Sequence, residues 1–419
     1  MVEFRSIKGT HDILPNEIKK WQMIEMKIHE IMKNHVYDEI RTPAFANTEL
    51  FVRGVGAETD IVNKEMYSWI DQGGNSLTLK PELTAPVIRA YVQNKLDKQH
   101  PIHRLYYFDT LFRRERPQKG RQRQFYQFGV EAIGSPYPEQ DAEIISLAYN
   151  IYDNFGIKDL KIKINSIGSS KVRPAYLDLL RNSIQKYIDG FCNTCKLRLQ
   201  NNALRLFDCK NSKCKEILTD KAPLIFNSIS KEDHEHFIEL TKRLDEMQIP
   251  YVHDNSLVRG LDYYTQTTFE IISSSLGAQD ALCGGGRYND LVEQIGGKST
   301  PAVGFASGVE RLILAMGKME KLDSSIDIYF ITIGNKANIF ASNIANELRQ
   351  ENNKKVLLET LRRSMKSQMR EANRSGARHV IIIGEDELSN EMVIIKDMKT
   401  SKQLQVSNSD IIKFFKSNS

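Results

Sequence analysis

No run of 18 consecutive apolar residues occurs in the chain, and its first residues, MVEFRSIKGTHDILP, carry no apolar core followed by a small-residue cleavage site. Neither a membrane-spanning helix nor an export signal is therefore expected, and the expected compartment is the cytoplasm. Cysteine is scarce: five in 419 residues cannot staple a chain of this size, which fits a reduced compartment. An excess of one charge is also missing. Lys and Arg number 58 against 53 Asp and Glu, and the resulting +5 permits a polyanionic partner without demanding one. The glycine run Gly284–Gly286 is followed by Arg287 and Tyr288, not by the lysine and hydroxyl of a G-x-x-x-x-G-K-S/T phosphate loop. What is present, 41% hydrophobic and 26% charged residues, is the composition of an ordinary globular protein long enough for two or three domains.

The most informative stretch is residues 107–131, YFDTLFRRERPQKGRQRQFYQFGVE. It reads as a hairpin: an apolar run to Arg113, a polar loop with Pro117 and Gly120, and a second run from Gln124 to Glu131. In a strand over 124–131, Phe125, Gln127, Gly129 and Glu131 share one face. An aromatic plate, an amide, a gap and a carboxylate suit a small, flat, partly cationic ligand better than a packed core, where an unpaired carboxylate is costly. The loop adds Arg114, Arg116, Lys119, Arg121 and Arg123 against the single acid Glu115. That is either a solvated basic turn or a contact for a phosphate-bearing partner.

Along the rest of the chain, Ile18, Trp21, Ile24, Ile28 and Ile31 recur at helical spacing after Pro15. At Pro81–Glu82–Leu83–Thr84, leading into a helix near Ala85, the carboxylate and hydroxyl either cap the helix or receive an amino group. LVRGLDYYTQTTFEIISS reads as a strand, with Arg259 and Tyr263 on one face and Tyr264 on the other. Arg259, beside Gly260, suits close approach to a phosphate or a surface ion pair. Arg311, following the strand that contains Gly304 and Gly308, lies one turn into a helix, placed over a flat base or against a carboxylate. Residues from about 170 to 250 lack strand patterning and interrupt two sheet-like regions, as an inserted helical module would. Within them Cys192, Cys195, Cys209 and Cys214 form C-x2-C, thirteen residues, C-x4-C. Four thiolates at that spacing can close a tetrahedral zinc site, or they are simply reduced, half-buried thiols. From Ile326 the pattern is that of a small α/β domain with a mostly parallel sheet. Its second helix sets Arg363, Lys366, Arg370 and Arg374 opposite Leu361, Met365, Met369 and Ala372.

Each signal is weak alone; their order is not. The chain resembles the class II aminoacyl-tRNA synthetases and, within them, the histidyl-tRNA synthetase family, over its whole length. LFRRERPQKGRQRQFYQFGVE resembles the family's motif 2, AVGFASGVERLILAM its motif 3, and residues near 41 to 66 its motif 1, which supports a dimer interface. LVRGLDYYTQTTFE and ALCGGGRYNDLV resemble the two histidine-specific signatures, of which RGLDYY is the most specific string.

The resemblance implies an α+β catalytic domain over 1–325, with a central antiparallel sheet flanked by helices and the helical insertion at about 170–250. It implies an α/β anticodon-binding domain over 326–419. The implied activity is histidine–tRNA ligation, with L-histidine, ATP with Mg2+ and tRNA(His) as substrates, in a homodimer. By similarity, Glu82, Thr84 and Gln127 would hold the amino group of histidine, Glu131 and Tyr264 would read its imidazole, and Tyr263 and Tyr288 would complete the pocket. ATP would meet Arg113, Glu115, Phe125, Arg259 and Arg311, with Arg113 and Arg259 as the catalytic charges. Arg116, Gln118, Arg121 and Arg123 of the loop would meet the tRNA acceptor end. No metal ligand is assigned within this set. The family's usual glycine between the glutamate and threonine is Leu83 here, which either narrows the pocket or points into the core. A non-catalytic relative, the regulatory subunit of ATP phosphoribosyltransferase, typically lacks the last domain and loses catalytic arginines; this chain has both.

Overall fold

The computed structural model describes residues 3–57, 59–118, 120–277, 280–317 and 326–417. Lys119 of the hairpin loop and the expected domain boundary at 325 lie outside the described residues. The chain divides into two compact units, Met1–Met319 and Glu320–Ser419.

The first unit opens with α1 (Pro15–Asn34), whose Trp21, Ile24, Ile28, Ile31 and Met32 are buried, the single apolar stripe expected of an amphipathic helix. There follow β1 (Asp38–Glu39), β2 (Phe45–Asn47), α2 (Thr48–Val55), β3 (Ser68–Ile70), β4 (Ser76–Leu79), α3 (Thr84–Gln93), β5 (His103–Phe112), β6 (Gln124–Ile133), α4 (Pro138–Asn154) and β7 (Leu160–Ser166). A helical run comes next: α5 (Arg173–Gln185), α6 (Asn193–Asn201), α7 (Ser212–Lys221) and α8 (Lys231–Glu246). The sheet resumes with β8 (Val252–His253), β9 (Thr265–Ser273) and β10 (Ala281–Arg287), then α9 (Leu291–Gln294), β11 (Ala302–Gly308) and α10 (Val309–Ala315).

Eight strands form the main sheet in the order β1-β5-β6-β11-β10-β9-β7-β8, and a small sheet runs β2-β4-β3. The six central strands pair antiparallel, while each edge pair, β1 with β5 and β8 with β7, is parallel. The period of two sorts the side chains. Phe128, Val130 and Ala132 enter a core with α1 and α4. Leu105, Tyr107 and Leu111 pack on the other side with α3 and the inserted helices. The odd-numbered residues of β6 thus face away from α1 and α4. Arg287 at the end of β10 and Asp141 of α4 are both fully buried, joined by Nε–H bonds of 2.9 and 2.7 Å. Burial alone would raise the Asp141 pKa, but Arg287 and then His236 outweigh it and hold it below the usual carboxylate range.

The second unit contains β12 (Ile328–Thr332), α11 (Asn335–Glu351), β13 (Val356–Leu358), α12 (Met365–Arg374), β14 (His379–Ile383), α13 (Glu385–Ser389), β15 (Met392–Asp397), β16 (Gln403–Ser407) and α14 (Ile411–Ser417). Its sheet runs β13-β12-β14-β15-β16. The pairings of β12 are parallel and those of β15 antiparallel, so the sheet is evenly mixed, not mostly parallel. The reason is that β15 returns directly into β16 as a hairpin, and the link from β14 to β15 carries only the five-residue α13, too short for a crossover. The face of α12 also differs from the sequence pattern. Gln368 and Ala372 are buried, whereas Leu361 and Met365 are exposed. Gln368 exchanges two hydrogen bonds of 2.9 Å with the Thr332 backbone, which turns this polar residue inward. Arg363 precedes the helix and pairs with Glu359, leaving Lys366, Arg370 and Arg374 as the exposed basic stripe.

Candidate active site

Two adjoining cavities of about 390 and 240 Å3 open over the odd-numbered face of β6 and share Arg113, Glu115, Arg121, Gln127, Arg259 and Gly284. The larger one ends on Glu131, only 1% exposed. Three hydroxyls converge on this carboxylate: Thr84 donates at 2.8 Å and Tyr107 at 3.1 Å to one oxygen, and Tyr288 donates to the other. Burial pushes the Glu131 pKa up to about 8, because the three hydroxyl bonds do not offset the loss of water around the charge. The gap read at Gly129 is filled. Tyr107 pairs with Gly129 in the hairpin register, and a Cβ there would sit 2.5 Å from the Tyr107 hydroxyl.

Glu82 accepts from the backbone N–H groups of Thr84 at 2.7 Å and Ala85 at 2.9 Å, so it does cap α3. It also lines the cavity, and burial raises its pKa. Each of its oxygens keeps a second lone pair for a ligand. Leu83 is 2% exposed and belongs to the core while its edge reaches the cavity wall. The strand expected over 257–264 does not form: β9 starts at Thr265, and the preceding loop puts Tyr263 and Tyr264 on the same cavity instead of on opposite faces. Long-range bonds shape that loop. The Asp262 N–H donates to the Val55 carbonyl at 3.1 Å, and Arg173 donates to the carbonyls of Asp262 and Tyr264. No hydrogen bond joins Tyr264 to Glu131 among the described residues; the partners of Glu131 are Thr84, Tyr107 and Tyr288. Tyr263 stands edge-on to Tyr288 with ring centroids 5.6 Å apart.

In the smaller cavity, the Arg113 guanidinium lies over Phe125 at 5.3 Å and its Nε donates to the Pro81 carbonyl at 2.8 Å. Phe125 and Arg311 both line this cavity, and Arg311 donates to the Ala281 carbonyl at 2.6 Å. Arg259 donates to Glu270 at 3.1 Å. Its guanidinium rests on Gly284, where a Cβ would stand 1.7 Å from Nη2; only glycine leaves room for this arginine. Glu115 pairs with Arg121 at 3.2 Å. In the loop, Arg116 and Gln118 are exposed. Arg121 instead reaches both cavities, and Arg123 turns back, its Nε donating to the Glu115 carbonyl at 3.4 Å.

Sequence reasoning missed Tyr107, Asp60, Glu65, Arg205, Glu270 and Glu310, all at these cavities or bonded to their lining residues. Tyr107 had a signal, since antiparallel pairing places it opposite Gly129; Arg205 had none, because it comes from the inserted module. Burial raises Glu65, with Glu115 adding to it, and pushes Glu310 up to about 7.

The family model described as Histidyl-tRNA synthetase matches residues 9–312, and that of an Anticodon binding domain matches 327–418. The chain is similar to the histidine–tRNA ligase of Staphylococcus carnosus, at 45% identity over 97% of this chain and 96% of that one. It is equally similar to that of Halothermothrix orenii, at 45% identity over 98% of both. Among solved structures, apo histidyl-tRNA synthetase of S. aureus superposes with a TM-score of 0.83 at 37% identity, covering 99% of this chain and 100% of that one. Among the described residues no helix is long and apolar enough to cross a membrane. With a buried carboxylate and an arginine-lined cavity set on a sheet of this topology, and with matches that span nearly the whole sequence, the chain belongs to the histidyl-tRNA synthetase family.

Proposed function

We propose that the protein activates L-histidine with ATP to histidyl-adenylate and transfers the histidyl group to the 3′ end of tRNA(His). The observation that carries this reading is the junction of a cavity ending on a buried, three-hydroxyl carboxylate with one walled by Arg113, Arg259, Arg311 and Phe125. In the first step a carboxylate oxygen of histidine bonds to the α-phosphorus, the bond to the β-phosphate oxygen breaks, and pyrophosphate leaves. The attacking group is already ionised, so the protein needs no nucleophile; positioning and charge stabilisation are its contribution. Arg113 and Arg259, permanently charged and multidentate, meet the charge that develops at the α-phosphate. Phe125 stacks on adenine, with Arg311 against ATP from the other side. Glu115 and Glu270 offer the hard oxygen donors that suit magnesium accompanying ATP, whose charge would neutralise the leaving phosphates. In the second step the terminal ribose hydroxyl takes the acyl group and AMP leaves.

Histidine is selected through Glu131, whose proton is exchanged for the imidazole N–H on binding, with Tyr264 beside it; Tyr263 and Tyr288 enclose the ring. A ligand without ring nitrogens offers Glu131 no N–H in a dry site, so nothing is gained in exchange for ionising it. Glu82, Thr84 and Gln127 hold the amino group. Residues 1–325 act as the catalytic domain and 326–419 as the anticodon-binding domain, with Arg116, Gln118, Arg121 and Arg123 serving the acceptor end. The small sheet leaves Phe45 and Trp69 exposed with their ring centroids 5.8 Å apart, an apolar patch that supports a homodimer. The cytoplasm, where tRNA, ATP and reduced thiols meet, is its compartment. Charging of tRNA(His) with labelled histidine by the purified chain tests the reading; failure to form an acid-stable, base-labile histidyl ester overturns it. The regulatory-subunit alternative has no observation in its favour, since Arg113 and Arg259 both line the cavity.

A further inference from the structure

We propose that Cys192, Cys195, Cys209 and Cys214 hold a structural zinc ion, and that this ion fixes the loop that delivers Arg205 to the wall of the active-site cavity. The four sulfurs come from separate local structures. Cys192 is the N-cap of α6, Cys195 lies in its first turn, Cys209 follows a short 3-10 turn, and Cys214 lies in the first turn of α7. They nevertheless all lie within 4.8 Å of one another, and Cys192 and Cys209 are 3.9 Å apart. A tetrahedral ion with Zn–S bonds of about 2.3 Å spaces its ligand sulfurs about 3.8 Å apart. Disulfides, at about 2.05 Å, are far shorter, and all four residues are free thiols.

The surroundings also suit the ion. Cys195, Cys209 and Cys214 are buried among Leu199, Ala203, Leu206 and Leu218, a small apolar shell that excludes water. The Cys192 N–H donates to the Cys214 sulfur at 3.3 Å, the kind of outer hydrogen bond that steadies a thiolate ligand. Four soft sulfurs exclude magnesium and calcium.

The consequence lies in the thirteen residues between the second and third cysteines. Three of them reach out of the module: Asn202 donates to Asp262 at 2.8 Å, Arg205 donates to Asp60 at 2.9 Å, and Arg198 stands 3.9 Å from the same Asp60 carboxylate. Arg205 lines the larger cavity beside Arg113 and Arg259. An ion bonded at both ends of this loop closes it, and the ordering it imposes is what holds the Arg205 guanidinium at the wall.

Metal analysis of full-length protein, purified under reducing conditions without chelator from zinc-supplemented culture, is expected to give about one zinc per chain; less than about 0.1 overturns the assignment. Chelated wild-type protein given Co2+ is expected to show the thiolate-to-cobalt charge-transfer bands of a four-sulfur site, and their absence overturns it too. The double variant Cys209→Ser/Cys214→Ser is expected to lose the metal, whereas Cys283→Ser keeps it; zinc retained in the double variant is a contradiction. The metal readouts do not depend on the catalytic reading. The link to Arg205, which does rest on that reading, predicts that metal-free wild type and Arg205→Ala lose histidine-dependent exchange by similar factors. A metal-free enzyme with full exchange beside an impaired Arg205→Ala overturns the link alone.

Discussion

Replacing Glu131 by glutamine separates the cost of burying a carboxylate from its use. The Glu131 pKa is pushed from 4.5 up to about 8 by burial. At about 1.36 kcal/mol per unit, keeping it ionised in the empty site costs on the order of 5 kcal/mol. Between those two values the folded protein holds a proton that the unfolded chain has released. The stability contributed by the protonated form is full below about pH 4.5 and is lost as pH rises through about 8. Integrated from pH 5 to pH 8, the loss is on the order of 3 to 4 kcal/mol. Glu131→Gln removes it, so the melting temperature of the variant relative to wild type, without histidine, is expected to climb by about 5 °C over that interval. Thermal melts at a series of pH values measure this difference, and comparing the two proteins cancels the titration of Glu310. A pH-independent difference would refute the reasoning, because Glu131 would then titrate like a solvated carboxylate. The same variant is expected to lose about tenfold to 150-fold in kcat/KM for histidine, the value of one hydrogen bond to a charged group, about 1.5–3 kcal/mol.

Gly284→Ala places a Cβ 1.7 Å from Arg259 Nη2 and must displace that side chain. Pyrophosphate exchange is expected to drop on the order of a hundredfold while calorimetry still detects histidine binding. Arg259→Ala should largely abolish adenylate formation with histidine binding kept; near-normal exchange contradicts its charge role. Phe125→Ala is expected to raise KM for ATP by about tenfold or more through lost stacking, with little change in KM for histidine. Arg287→Ala leaves Asp141 fully buried without its arginine and with only His236, at 3.4 Å, beside it, and denaturant unfolding should show a loss of about 3–5 kcal/mol.

What the sequence made legible depended on how local the signal was. The face of β6 could be read because a period of two needs only the strand itself, and α1 because its stripe repeats over five turns. Residues 257–264 could not. Their aromatic and β-branched residues favour a strand, yet Val55 and Arg173, both far away in sequence, bond the backbone into a loop that gathers Tyr263 and Tyr264 together. Gln368 shows the same limit in the second unit: a polar residue turned inward by a backbone partner 36 positions away defeats any hydrophobic pattern. The two open alternatives at Glu82 prove compatible, since the carboxylate caps α3 and faces the cavity at once. Arg205 was illegible because its place depends on how the inserted module folds back, which no local spacing records.

The central claim is that one cavity selects histidine and its neighbour activates it with ATP. Exchange of labelled pyrophosphate into ATP, measured on the purified full-length chain with each amino acid in turn, tests this most directly. Exchange that requires histidine and is supported by no other amino acid is the predicted result; exchange that is absent, or that proceeds equally well without histidine, contradicts the account.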